Sequence, residues 1–265
     1  MPVVIGAEPL RVLGFEFSWL GLGILFGSLV GAWWAGRALP RYGIAASYAW
    51  KLYPFAVLGG SAGAKLWAAC ETLLEPGSPT FVAVLASRSG ATFYGGLALG
   101  ALAVVAKVVH DGKPLRAVTT AFAPSLAIGQ AIGRIGCLLL GDDYGVPTAL
   151  PWGMSFPRGA PPTTELVHPT QAYESLWLFA CAWLLRRRLA TSRLLIAEYL
   201  VLQGAGRFAI EFVRTNPRTL GPLTTSQVIA LGCVAAGALG LALARRRETT
   251  PGDLIPASKS TPGRR

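Results

Sequence analysis

Two arginines stand inside stretches that are otherwise strongly apolar. Arg134 interrupts a run from about residue 117 to 140, has Gly133 and Gly136 beside it, and is followed by Asp142 and Asp143. Arg207 lies near the end of a later run, just after Gly204-Ala205-Gly206 and four residues before Glu211. An Arg at the centre of a bilayer costs roughly 2.5–3.5 kcal/mol on insertion scales, so such groups usually face a bundle interior or a watery cavity. A guanidinium carries donors in a rigid fork that matches the oxygens of a carboxylate or phosphate. Neighbouring glycines let a second backbone or a ligand come close. The plainer alternative is a side chain that snorkels to the headgroup level. A pair of such arginines instead suggests a clamp for an anionic ligand.

Further polar residues recur near both. The segment HPTQAYESLW opens an apolar run, with His168 at the cap position and Pro169 suited to a first helical turn. Gln171, Glu174 and Ser175 then share one helical face, and Glu174 so placed requires a partner. His168 reads either as a structural cap or as a proton-transfer group. Arg207 and Glu211 stack on one face; Arg214 and Arg218 beyond them read as a solvated helix end. Tyr94, before the glycine pair Gly95-Gly96, reads as an interfacial anchor or as part of the site. Lys65 either snorkels or joins the arginines.

The frame for these residues is a membrane. Of 265 residues 52% are hydrophobic and only 14% charged, and mean hydropathy is +0.48, which excludes an ordinary soluble domain. Apolar runs cover about 17–36, 50–74, 92–110, 117–140, 169–185, 194–211 and 225–244. The predicted fold is an all-α polytopic membrane protein with about seven transmembrane helices. A Pro-rich loop over about 146–167, with Trp152 and Phe156, predicts a small extracytoplasmic cap. The transmembrane domain is expected over 1–247, followed by a disordered cytoplasmic tail over 248–265.

Basic residues cluster at alternate ends: Arg37, Arg41 and Lys51; Lys107, Lys113 and Arg116; Arg186–Arg188 and Arg193; Arg245–Arg247. That bias predicts an outer N-terminus and an inner C-terminus. The net charge of +11 therefore points to loop ends and anionic lipid and not to nucleic acid. No cleavable signal is expected, because Glu8 and Glu16 stand where a basic segment would precede one. Cys70, Cys137, Cys181 and Cys233 form no CxxC pair and read as small buried hydrophobes. His110 and His168 fall at opposite ends of the predicted helices, so no metal-ligand cluster is expected.

Taken in order, GRIGCLLLGDDYG, PWGMSFP, HPTQAYESLW and RFAIEFVR with LGPLTTSQVIA downstream resemble the bacterial phosphatidylglycerol–prolipoprotein diacylglyceryl transferase family over roughly residues 15–245. The resemblance implies a seven-span inner-membrane enzyme that needs no cofactor. Its substrates would be phosphatidylglycerol and a preprolipoprotein, whose lipobox cysteine thiol receives the diacylglyceryl group as glycerol 1-phosphate leaves. On the same resemblance Arg134 and Arg207 are the essential arginines. Asp142 and Gly145 belong to the signature motif, His168, Gln171, Tyr173 and Glu174 to the HPSQ-type motif, and Glu211 is the acid beside Arg207.

The departures are specific. Tyr94 stands where the family has His, Cys137 where it has Asn, and Leu20 and Gln203 where it has Tyr. Thiol activation therefore falls to Tyr94 or His168, helped by the arginine charges, which lower a thiol's pKa. Two other classes remain open on sequence: a transporter or binding protein for an anionic lipid or solute, and an inactive homologue.

Overall fold

Helices occupy all seven apolar runs. In the computed structural model, which describes residues 3–5, 8–12, 15–73, 80–86, 93–192 and 194–246, these are α1 (Trp19–Ala38), α2 (Tyr48–Glu71), α4 (Phe93–His110), α5 (Leu115–Leu140), α6 (Thr170–Arg187), α7 (Leu195–Ile210) and α8 (Thr225–Arg246). A six-residue helix, α3 (Phe81–Ala86), lies between α2 and α4. By length and composition, Trp19–Tyr42, Leu115–Leu140 and Thr225–Arg245 are long and apolar enough to cross a membrane, and Gly95–His110 is a shorter apolar helix. The tail expected over 248–265 lies outside the described residues.

Small residues set the packing. α1 lies against α5, α2 against α4, α7 against α8 and α6 against α5. A Cβ on Gly136 of α5 would come within 2.6 Å of the Trp19 carbonyl, so only glycine allows α1 that close. Such contacts are the membrane solution to association without a hydrophobic driving force. The buried core accordingly contains Ala35, Ala121, Ala127 and Ala182, while Leu58, Leu102, Leu176 and Leu239 face outward. Cys137 and Cys181 are buried as expected, but Cys70 is exposed. An exposed position on an apolar helix suits a small hydrophobe equally well in lipid, so burial could not be inferred from its type.

The all-α expectation needs one correction. Short strands form around the helix ends: β1 (Val3–Val4) pairs in parallel with β4 (Met154–Phe156), and β4 pairs antiparallel with β5 (Thr163–Val167). β2 (Leu10–Val12) and β3 (Phe15–Phe17) make a hairpin, and β6 (Arg218–Leu220) pairs with β7 (Leu223–Thr224). Strands of two to five residues are too short to display an alternating pattern. The three-stranded sheet β1-β4-β5 takes up part of the Pro-rich loop. Phe156 is wholly buried beneath it and stacks on Tyr144 with ring centroids 5.4 Å apart.

Candidate functional site

α5 ends on a left-handed turn. Gly141, at φ 75°, caps the helix by donating its N–H to the Cys137 carbonyl at 2.8 Å. Asp143 is also left-handed, at φ 63°, a conformation that Asp tolerates better than most side chains. Gln171 donates its side-chain amide to the Asp142 carbonyl, and Thr170 Oγ1 donates to the Asp143 carbonyl at 2.6 Å. The HPTQ segment thus clamps the turn. The reversed chain aims Asp143 back at α5, where its Oδ2 lies 2.7 Å from Arg134 Nη1.

Gly145 closes the turn. Its N–H donates to the His168 carbonyl at 2.9 Å. A Cβ there would meet His168 Cβ and Thr170 Cγ2, each at 2.9 Å, so a side chain would force the two segments apart.

Glu174, buried on α6, is the meeting point. One carboxylate oxygen contacts Arg134 Nε from α5 and the other contacts Arg207 Nη1 from α7. Arg207 Nη2 also lies 2.9 Å from Glu211 Oε2 and donates to Ser226 Oγ at 3.1 Å. Glu211 is buried and accepts from Asn216 Nδ2 at 2.7 Å and Thr224 Oγ1 at 2.8 Å. The helix tightens into a 3₁₀ turn at Glu211–Val213, which brings Arg214 inward. Arg214 Nη2 lies 2.7 Å from Asp143 Oδ1, with Glu174 and Glu211 each 3.6 Å from its other nitrogens.

Arg214 therefore corrects the expectation of a solvated helix end: it is buried, with 8% of its surface exposed. Arg218 is exposed as expected. Together Arg134, Arg207 and Arg214 face Asp143, Glu174 and Glu211, so charge is balanced within a largely buried box. Arg214 and Asp143 were missed from sequence. A spacing of seven from Arg207 suits one helical face, but α7 ends at Ile210, and the 3₁₀ turn rather than helical periodicity sets where Arg214 points.

Asp142 takes no part in these pairs. Its Oδ1 is buried without a hydrogen-bond partner. Burial pushes its carboxyl above the usual carboxylate range and the Asp143 charge adds to this, while Cys137 and Arg134 oppose it. For Asp143 burial also acts upward, but the Arg214 and Arg134 charges and their hydrogen bonds outweigh it and hold the carboxyl below its ordinary value.

Cys137 is buried with its sulfur 3.7 Å from Arg134 Nη1. The expected absence of a ligand cluster needs correcting here, because the potential ligand atoms of Cys137, Asp142 and Asp143 lie within 4.8 Å of one another. The Arg134 and Arg214 guanidiniums on Asp143 already supply positive charge to that corner.

His168 turns its polar contact elsewhere: among the described residues its Nδ1 meets the Tyr173 hydroxyl at 3.2 Å, and Tyr173 accepts from Trp152 Nε1 at 2.8 Å. Tyr94 sits in the first turn of α4, and its side chain lies outside the described residues. Lys65 reaches the Val84 carbonyl of α3 at 3.4 Å. A cavity opens beside the box, lined by Glu174 and Arg207 together with Trp177, Leu178, Gln203, Gly206 and Ile210. It is small, and its polar side carries the Glu174 carboxylate as well as the Arg207 guanidinium.

The donors that remain matter chemically. Arg134 uses Nε and Nη1 for its carboxylates and Arg207 uses Nη1 and Nη2. Among the described residues Arg134 Nη2 and Arg207 Nε are left for a further acceptor.

A family model described as prolipoprotein diacylglyceryl transferase matches residues 9–243. The chain is 30% identical over 247 residues to a Gloeobacter violaceus protein named phosphatidylglycerol–prolipoprotein diacylglyceryl transferase, covering 89% of this chain and 92% of that one. Proteins of the same name from Synechococcus elongatus and Nitratidesulfovibrio vulgaris are 30% and 33% identical over 253 and 254 residues. They cover 91% and 89% of this chain and 86% and 91% of their own lengths. On matches that take in nearly the whole chain, the protein belongs to the prolipoprotein diacylglyceryl transferase family.

Proposed function

We propose that this protein transfers the diacylglyceryl group of phosphatidylglycerol to the lipobox cysteine of a preprolipoprotein, a step of lipoprotein biogenesis. The observation that carries the chemistry is the meeting of Arg134 and Arg207, from different helices, on the single carboxylate of Glu174. A phosphodiester can take the donor each arginine has left. The family assignment favours the transferase over a transporter, and supplies the two substrates from the names of the relatives.

In the proposed step the acceptor thiolate attacks the glyceryl carbon that bears the phosphate. A C–S bond forms, the C–O bond breaks, and glycerol 1-phosphate leaves with the bonding electrons. Arg134 and Arg207 bind the phosphate and stabilise the charge that builds on the leaving oxygen. Glu174 and Glu211 hold the two guanidiniums in place, and Gly145 keeps the turn after α5 closed. Asp142, beside the box, lines the substrate side. The thiol proton goes to Tyr94 or His168, and the arginine charges favour the thiolate. No cofactor enters this scheme.

For the membrane arrangement we propose seven spans over residues 1–247 in the bacterial inner membrane. The N-terminus and the cap at 146–167 lie outside, and the C-terminus with the tail 248–265 lies inside. The support is the alternation of basic ends. A single cysteine placed in the 146–167 loop should then react with an impermeant reagent on spheroplasts. Reaction only after permeabilisation would overturn the sidedness.

The function is tested by incubating the purified protein with phosphatidylglycerol and a lipobox peptide and weighing the peptide by mass spectrometry. A diacylglyceryl mass increment on cysteine is expected. An unmodified peptide with bound phosphatidylglycerol would reduce the arginine box to a lipid-binding site.

A further inference from the structure

A second set of arginines gathers at the far end of the bundle from Glu174. α1 runs antiparallel to α5, with Gly23 against Gly136 and Gly31 against Ser125, so Arg37 at the end of α1 is remote from Arg134. Arg186 stands twelve residues after Glu174 on α6, about 18 Å along the helix at 1.5 Å per residue. Tyr42, in the 3₁₀ turn Leu39–Tyr42 that follows α1, donates its hydroxyl to the Leu189 carbonyl at 2.8 Å. That bond staples the turn carrying Arg41 to the end of α6. The charges of Arg41 and Arg37 both bear on Arg186.

Three guanidiniums at this end lie over indoles. Arg37 sits 4.0 Å from the ring centroid of Trp33, Arg186 4.9 Å from that of Trp34, and the neighbouring Arg187 3.9 Å from that of Trp183. Trp33 and Trp183 are about half exposed, at 48% and 55%. Half-exposed indoles stacked by arginines match the composition of a membrane interface, where an apolar body meets a charged layer.

The contrast with the Glu174 box is in the carboxylates. There each guanidinium has its anion; here, among the described residues, Arg37, Arg41, Arg186 and Arg187 form no ion pair, and the nearby Glu198 is taken by Arg188 at 3.1 Å. Arg186 Nη1 is moreover buried with no acceptor. An arginine that merely snorkels keeps its donors in water, whereas Arg186 has one nitrogen shut off from water with no acceptor, its ring contact with Trp34 supplying none. Repulsion among the like charges adds to the cost. A phosphate oxygen would answer both, since guanidinium forks bind phosphate with charge-assisted hydrogen bonds. The flanking indoles favour a phosphate that brings acyl chains with it.

We propose that Arg37, Arg41 and Arg186, framed by Trp33, Trp34 and Trp183, bind the phosphate headgroup of an anionic membrane lipid at a site separate from the Arg134–Arg207 box. Binding here neutralises the gathered charges and ties α1 to α6. The lipid at this site is not consumed, because none of the carboxylates that orient the arginines of the transfer site accompanies it.

The test uses the full-length protein in detergent freed of lipid, with thermal unfolding followed as lipid is added. Phosphatidylglycerol should raise the melting temperature, and neither phosphatidylcholine nor soluble glycerol phosphate should. The triple variant Arg37→Gln, Arg41→Gln, Arg186→Gln should lose most of that rise, while melting no lower than wild type before lipid is added. Arg207→Gln should keep most of it, which separates this site from the transfer site. A full rise in the triple variant, or an equal rise with phosphatidylcholine, would overturn the proposal. Stabilisation by glycerol phosphate alone would replace the lipid with free phosphate and equally overturn it. If the triple variant does not fold, quenching of wild-type tryptophan fluorescence by brominated phosphatidylglycerol decides. Quenching weakened several-fold by Trp33→Phe with Trp183→Phe supports the site, and unchanged quenching removes it.

Discussion

Arg214 meets Asp143 at 2.7 Å, joining the end of the α7 segment to the turn that follows α5. The contact exists because two left-handed residues, Gly141 and Asp143, reverse the chain, and because a 3₁₀ turn draws Arg214 inward. It converts two arginines and their acids into a closed set of three and three. A ligand phosphate approaching this box meets guanidiniums already oriented by carboxylates, which is the condition for strong electrostatic stabilisation of a transition state.

Replacing either arginine of the clamp should therefore cut turnover more than lipid binding. Arg134→Gln and Arg207→Gln are each expected to lower kcat by about 10²–10³-fold, the scale of losing one preorganised donor. Arg→Lys at the same positions should recover little, because an ammonium cannot span two acceptors as a fork does. Transfer to a lipobox peptide under saturating phosphatidylglycerol measures this. A loss confined to KM would show that the arginines bind substrate and transition state alike.

Glu174 should matter first for stability. It is buried and touches Arg134, Arg207 and, more distantly, Arg214. Removing one partner of a buried ion pair costs about 3–5 kcal/mol, because the other charge stays buried. Glu174→Ala is expected to fall in that range by unfolding in detergent. Arg218→Ala, on an exposed side chain, should change stability by no more than about 0.5 kcal/mol. A Glu174→Ala change as small as that would mean the box relaxes without it.

The long helices were legible because each coincides with a long apolar run; α4, α5 and α8 begin and end within a few residues of the runs that predicted them. Arg134, Glu174, Arg207 and Glu211 could also be named from sequence, since charge inside an apolar run demands an explanation. Arg214 and Asp143 could not be placed. Their positions depend on φ at Gly141 and Asp143 and on where α7 tightens, and residue type alone does not fix either. The cap strands escaped for a different reason: β1 and β4 pair over two residues each, across a long separation in the chain.

The two adjacent aspartates should respond to pH in opposite senses. Asp143 has a depressed folded value, so its contribution is present above the ordinary carboxylate pKa of about 3.9 and is lost as pH falls through the lower folded value. Asp142 has a raised folded value, so its contribution is full below about pH 3.9 and is lost as pH rises through the higher folded value. Asp142→Asn is thus expected to raise stability at neutral pH and to flatten the profile between that point and mild acid. Asp143→Asn should lower stability throughout the neutral range. Melting temperatures of the two variants from about pH 2 to about pH 7 measure both, the Asp143 change falling below about pH 3.9 and the Asp142 change above it. Parallel profiles would contradict the assignment of separate environments.

The remaining question is where the acceptor thiol sends its proton. Tyr94 stands where the family resemblance places a histidine, at the start of α4, and His168 holds its ring nitrogen against Tyr173. A free phenol ionises near pH 10 (about that of the model compound), so as a base at neutral pH it needs positive charge close by. If Tyr94 receives the proton, Tyr94→Phe should reduce transfer sharply and leave phosphatidylglycerol binding nearly intact, because the phosphate contacts belong to the arginines. Tyr94→His should then keep or raise activity by supplying a group that titrates near neutrality. Near-normal turnover in Tyr94→Phe would make Tyr94 an interfacial anchor. A loss in His168→Ala alongside it would move the proton to His168, and single-turnover rates across pH would separate that loss from a structural one by the disappearance of a titrating limb.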